Sequence, residues 1–209
     1  MLVSDLRAPA YAPAPLEAPL VPRLHRWTVR EYYRMKDAGL VDEGVRTELV
    51  EGQIITMGPI GALHLGFQSF LHEELQARLD RKAYKVIGQN PLLLDDYNEP
   101  EPDVYVLPFR PDHYTTLKPT AEDALLVCEV SVSTLDYDLG GKRDRYARYG
   151  VPEYWVLDAE TRTLHYSDGP SEVGFRRTLV LGPGERFESK LLGWTEVSAL
   201  MPPAPGAVE

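Results

Sequence analysis

The chain has 209 residues, 44% of them apolar and 26% charged, a balance that suits a folded domain and excludes a disordered or fibrous chain. Its 32 Asp and Glu against 22 Lys and Arg leave a formal charge of −10, so a nucleic-acid partner would need a local basic surface or a metal ion to offset phosphate repulsion. No apolar run approaches the roughly 20 residues that cross a bilayer, no basic segment followed by an apolar core opens the chain, and the single Cys128 admits no intrachain disulfide, so a cytoplasmic protein without membrane segments is the expectation.

Residues 1–26 hold Pro9, Pro13, Pro15, Pro19 and Pro22. Each proline fixes φ and removes a backbone donor, so an extended arm is expected there, suited to lie along the domain or a second copy. Thr28 and Glu31 have the spacing of a capping box and predict a short helix ending near Gly39. Residues 46–57 read as a hairpin bent near Gly52. Leu63, Phe67, Leu71, Leu75 and Leu79 recur four apart, with Phe70 beside them, and predict a long helix over residues 61–80. Short strands are expected at 84–87, 92–94 and 104–107. Residues 108–123 read as a surface connection or an active-site lid.

The strongest central-strand signal is the apolar run 124–130, which ends in Glu129 and Ser131. Its Cys128 reads as a small buried hydrophobe. A polar helix over 139–149 follows, stopped by Gly150, and then an aromatic strand at 154–157. Smaller sheet elements are expected at 164–166, 175–181 and around Phe187, with turns at Asp168-Gly169 and Gly182-Pro183. The alternation of helices and strands, with no repeat and no long linker, predicts one α/β (α+β) domain over residues 27–200. A Pro-rich tail at 201–209 is expected to fray.

Two carboxylates stand out. Asp103, in Glu-Pro-Asp-Val-Tyr-Val, and Glu129, in Val-Cys-Glu-Val-Ser, both sit at borders of expected strands. Adjacent strands would bring them within reach of one hard divalent cation. Capping a turn or pairing with an arginine suits the same two residues equally. Lys142 would enter their cleft if the following helix packs back toward the end of the Glu129 strand, where it could stabilise an oxyanion or orient water. It shares a helical face with Tyr146 and Tyr149, and a solvated lysine whose stem covers that aromatic pair is the ordinary alternative.

The ordered motifs Glu48-Leu49-Val50-Glu51-Gly52, Pro102-Asp103-Val104, Glu129-Val130-Ser131-Val132-Ser133-Thr134, Lys142 through Tyr146, and Gly150-Val151-Pro152-Glu153-Tyr154-Trp155 before Val156-Leu157-Asp158 resemble those of the Uma2 family (DUF820). That family is a restriction-endonuclease-like group within the PD-(D/E)XK nuclease class. The resemblance covers about residues 45–160 and implies a central mixed sheet flanked by helices. It implies Asp103 and Glu129 as metal-binding carboxylates and Glu48 as an additional early one. Ser131 occupies the place of the usual lysine two residues beyond the glutamate, and the pattern implies Lys142 in its stead. His64 falls where related sequences carry a histidine at the start of the long helix, which implies a contact to phosphate or water, and a cap or core-edge hydrogen bond suits it equally. Val132 replaces a common proline and Gln53 a common acid, and neither departure touches the proposed centre.

The implied activity is Mg2+-dependent, or Mn2+-dependent, hydrolysis of DNA phosphodiester bonds. Asp103, Glu129, Lys142 and Glu48 would carry the catalysis, Arg143, Arg145 and Arg148 would be available for backbone phosphates, and a homodimer would suit two-strand cleavage. Two other classes fit the same residues: a catalytically inactive dimeric DNA-binding protein, and a metal-dependent hydrolase of a small phosphorylated substrate. A P-loop, a His-Glu-x-x-His helix and paired zinc cysteines are all absent from the sequence.

Overall fold

The computed structural model describes residues 24–42, 44–204 and 206. Most of the expected N-terminal arm and part of the C-terminal tail lie outside these residues. Helix α1 (Val29–Asp37) starts at the capping box: Thr28 Oγ1 accepts from the Glu31 N–H at 3.2 Å, and Glu31 Oε2 accepts from the Thr28 N–H at 2.9 Å. Strands β1 (Thr47–Val50) and β2 (Gln53–Thr56) then pair antiparallel across a two-residue turn. Both turn residues have positive φ, 53° at Glu51 and 74° at Gly52, as a type I′ hairpin requires. Glycine is needed at the second position for a further reason, since a Cβ there would stand 2.6 Å from Arg26 Cβ.

Helix α2 (Ala62–Arg78) buries Phe67, Leu71 and Leu75, with Leu79 just past its end. Leu63 belongs to the same stripe yet is 44% exposed, because the first turn of α2 lines a cleft instead of covering the sheet. That sheet has six strands in the order β3 (Tyr84–Gly88), β4 (Val104–Pro108), β5 (Leu126–Ser131), β6 (Glu153–Asp158), β7 (Thr163–Ser171) and β8 (Gly174–Leu181). Only β5 and β6 run parallel, and a parallel pair needs the helical crossover that separates them. β3 and β8 form the two edges. A small second sheet pairs β9 (Arg186–Ser189) with β10 (Gly193–Glu196).

The crossover holds α3 (Leu135–Tyr137), a π-helical turn over Asp138–Lys142 and α4 (Arg143–Arg148). It therefore begins earlier than the helix expected from Leu139, and it kinks at Gly140 (φ −102°, ψ −105°). Two other expectations shift. Residues 92–94 form no strand, because the N–H groups of Leu92 and Leu94 bond to the carbonyls of Pro100 and Asn98 and close a local loop. The turn expected at Asp168-Gly169 lies at Glu172-Val173, between the paired Ser171 and Gly174.

Strand alternation sends side chains to two cores. On one face Val104, Val106, Leu126, Cys128, Val130, Trp155 and Leu157 pack with α2. On the other, Tyr105, Leu107, Val127, Tyr154 and Val156 pack with Tyr146 and Val151. Coverage on both faces explains the unbroken apolar run of β5, and it pushes the Cys128 thiol pKa up by burial. None of the described helices is long and apolar enough to cross a membrane.

Candidate active-site cleft

Register builds the cleft. β4 and β5 pair with Val104 opposite Cys128, so Asp103, the residue before β4, falls beside Glu129 and Val130. Asp103 Oδ2 accepts from the Val130 N–H at 2.8 Å and lies 3.0 Å from His64 Nε2 on the first turn of α2. Gln89 Nε2 donates to its other oxygen at 3.4 Å. Glu48 arrives on β1, which a bridge between Leu49 and Glu99 fastens to the body of the protein. Lys142 arrives at the end of the π-helical turn. Its Nζ lies 3.2 Å from Glu129 Oε1, 3.8 Å from Glu48 Oε1 and 3.9 Å from Asp138 Oδ1.

The cleft has a volume of about 290 Å3 and is lined by Glu48, His64, Asp103, Glu129, Asp138 and Lys142 among others. The structure thus brings together five residues singled out in the sequence and adds Asp138, whose Oδ2 accepts from Thr134 Oγ1 at 2.6 Å. The signal for Asp138 is its i,i+4 spacing to Lys142, which is legible only once the helix is known to start at Leu135. Arg143 and Arg145 do not line the cleft. Arg143 pairs with Asp144 at 3.4 Å, and Arg145 is buried beside Glu51.

Burial raises the Asp103 pKa, but the His64 hydrogen bond and charge and the Val130 N–H outweigh it, so the carboxyl is held below its ordinary value. Burial dominates at Glu129, pushing that carboxyl well up against the pull of Lys142, and it raises Asp138 in the same way. At Lys142 burial disfavours the charge, yet Glu129, Glu48, Asp138 and Asp103 together lift its pKa above the ordinary lysine value. Lys142 is therefore an ammonium held by carboxylates inside the protein.

Among the described residues, no three or more His, Cys, Asp or Glu side chains are gathered as a ready metal cage. The carboxylates turn instead toward Lys142 and His64. The donor chemistry nevertheless suits a hard cation. Both Glu48 carboxylate oxygens are buried without a hydrogen-bond partner, and such orphaned oxygen donors are what Mg2+ takes as ligands.

A mixed sheet with α2 on one face and α4 on the other, carrying Asp103 and Glu129 at the end of its β4–β5 pair, defines a restriction-endonuclease-like α/β fold. The model of the Uma2 family, described as "Putative restriction endonuclease", matches residues 29–200, and the chain belongs to that family. The crystal structure of a "putative nuclease belonging to DUF820" from Anabaena variabilis ATCC 29413 is similar, with a TM-score of 0.67 and 14% identity over 83% of this chain and 96% of that one. At that identity the likeness is one of fold. Among curated proteins none matches the chain.

Proposed function

We propose that the chain is a divalent-cation-dependent endonuclease hydrolysing DNA phosphodiester bonds, with residues 27–200 as its nuclease unit. The observation that carries this is the buried Lys142 ammonium, which shares one cleft with Asp103, Glu129 and Glu48. Asp103, Glu129 and Glu48 would hold Mg2+ or Mn2+. Such an ion, when bound, polarises the phosphate and lowers the pKa of water. Lys142 donates to a phosphate oxygen and offsets the negative charge that grows as the bond breaks. Keeping that amine protonated is the work of the surrounding carboxylates.

His64 orients Asp103 through its Nε2, since its 3.0 Å contact engages the oxygen that also takes the Val130 N–H. Arg143 and Arg145 stand away from the cleft, so any phosphate they contact is not the scissile one. A homodimer would present two such clefts for the two strands of a duplex.

Plasmid nicking in Mg2+, Mn2+ or EDTA tests the proposal. Asp103→Ala, Glu129→Ala and Lys142→Ala should each abolish cation-dependent cleavage, with circular dichroism confirming that the variants fold. Undiminished cleavage by the Asp103 or Glu129 variant would reject that residue's role. Binding of DNA without cleavage in any condition would favour an inactive DNA-binding protein. Hydrolysis of small phosphate esters without any cutting of DNA would favour the small-substrate hydrolase.

A further inference from the structure

Three arginines meet at the turn of the β1–β2 hairpin, in a cavity of about 470 Å3 that shares no lining residue with the cleft. Arg26, Arg145 and Arg148 line it together with Glu51, Gln53 and Asn98. Arg145 is 5% exposed, and its Nε and Nη1 have no partner within hydrogen-bond geometry, the neighbouring Tyr137 hydroxyl being the neutral polar group beside the guanidinium. The one carboxylate near it among the described residues is Glu51, whose Oε1 lies 3.8 Å from Nη2, beyond hydrogen-bonding reach. The same oxygen accepts from Arg148 Nη2 at 3.3 Å. Arg26 Nε donates to the Glu51 backbone carbonyl at 3.0 Å, and its guanidinium lies 4.4 Å from the centre of the Tyr97 ring.

A buried guanidinium with unsatisfied donors is unfavourable unless an anion completes it. Glu51 supplies that anion incompletely. Its side chain is 53% exposed and stands on a hairpin turn, free to swing into solvent without moving the backbone. Two cations within 4 Å of one such carboxylate, with a third at the backbone carbonyl of the same residue, stand out in a chain of net charge −10. Arginine forks match phosphate oxygens in pairs. A tetrahedral oxyanion could hydrogen-bond two or three of these side chains at once, where the Glu51 carboxylate takes one hydrogen bond, from Arg148.

We propose that Arg26, Arg145 and Arg148 form a phosphate-binding site separate from the cleft, with the Glu51 carboxylate holding the anion position until phosphate displaces it. The site does not depend on the chemistry proposed for the cleft. Its ligand is either a free phosphate or a backbone phosphate of nucleic acid, and the two share the same recognition.

Melting and calorimetric titration of the full chain with inorganic phosphate, in EDTA and against chloride of matched ionic strength, test the site. Two variants are informative. Glu51→Asn shortens and neutralises the resident anion while giving the turn the Asn-Gly pair that type I′ geometry favours. Arg148→Ala removes a half-exposed cation and leaves the core intact. Relative to wild type, Glu51→Asn should bind phosphate about five-fold more tightly and Arg148→Ala about five-fold more weakly, the scale of one half-exposed charge pair. Equal phosphate affinity in wild type and either variant would overturn the proposal.

A second titration, with a short DNA duplex in EDTA, separates the two sources. Weaker duplex binding by Arg148→Ala, with the slope of log K against log salt reduced by about one, assigns the site to backbone phosphate. Loss of inorganic phosphate binding with duplex binding unchanged assigns it to free phosphate. Cleft activity enters neither measurement, so loss of the nuclease proposal would leave this test standing.

Discussion

Replacing Lys142 by methionine keeps most of the side-chain volume and removes its charge from among Glu48, Glu129 and Asp138. At 3.2 to 3.9 Å, attraction to an ionised carboxylate is worth about 4–5 kcal/mol at an effective dielectric near 20, and burial, which raises the Glu129 and Asp138 pKa values, reduces the charge those two contribute. The cost of desolvating the ammonium cancels most of that. The net loss should fall in the range of about 3–5 kcal/mol seen when one partner of a buried pair is removed. That corresponds to a melting point lower by roughly 6–20 °C for a chain of this size. Urea unfolding in EDTA measures the loss. Mg2+ at a hundred times its Kd should then return about 2.7 kcal/mol, because a cation among the carboxylates replaces the missing ammonium. A Lys142→Met protein as stable as wild type in EDTA would refute this electrostatic account.

Two further outcomes are expected. Leu71→Ala, at a fully buried position, should cost about 2–5 kcal/mol, whereas Leu63→Ala, in the same stripe but at the cleft, should cost little; equal losses in denaturant melts would contradict the observed placement of α2. Hydrogen bonds from Arg177 hold the Asp168 carboxyl below its ordinary value, although burial opposes them. That contribution is complete above the unfolded pKa near about 4 and disappears as pH falls through the lower folded value. Arg177 is 51% exposed and solvent-screened, so Arg177→Met should destabilise by at most about 1 kcal/mol at pH 7 and by progressively less as the pH falls through the lowered folded value. A pH-independent difference between the two proteins would count against the pairing.

Elements with a local cause were legible in the sequence. Thr28 and Glu31 fix the start of α1 through one turn of chain, and Glu51-Gly52 fixes its hairpin through the φ values that glycine tolerates. Asp103 and Glu129 were legible because each interrupts an apolar strand border, and Lys142 because of its place in the ordered motifs. What was hidden depends on the three-dimensional frame. The stripe that includes Leu63 continues on α2 after the sheet beneath it has ended. Asp138 is concealed by the π-helical turn, since the Gly140-Gly141 pair breaks the 3.6-residue pattern that would have carried the helix back to Leu135. Arg145 reads as one of three helix arginines open to phosphate until the hairpin closes over it. β10 went unseen because Trp194, its aromatic, points outward at 66% exposure and leaves no apolar alternation.

The edge strand β8 bears on self-association. Midway along the strand Arg176 is exposed without an ion pair among the described residues, whereas the exposed Arg177 is tied to Asp168 of β7. Two copies adding to each other edge to edge about a two-fold axis there would bring Arg176 of one close to Arg176 of the other. Like charges facing across a strand pair are destabilising, and cations placed on an edge are a common means of preventing sheets from growing through it. A single unpaired cation in the middle of β8 thus disfavours extension of the six-stranded sheet through that edge.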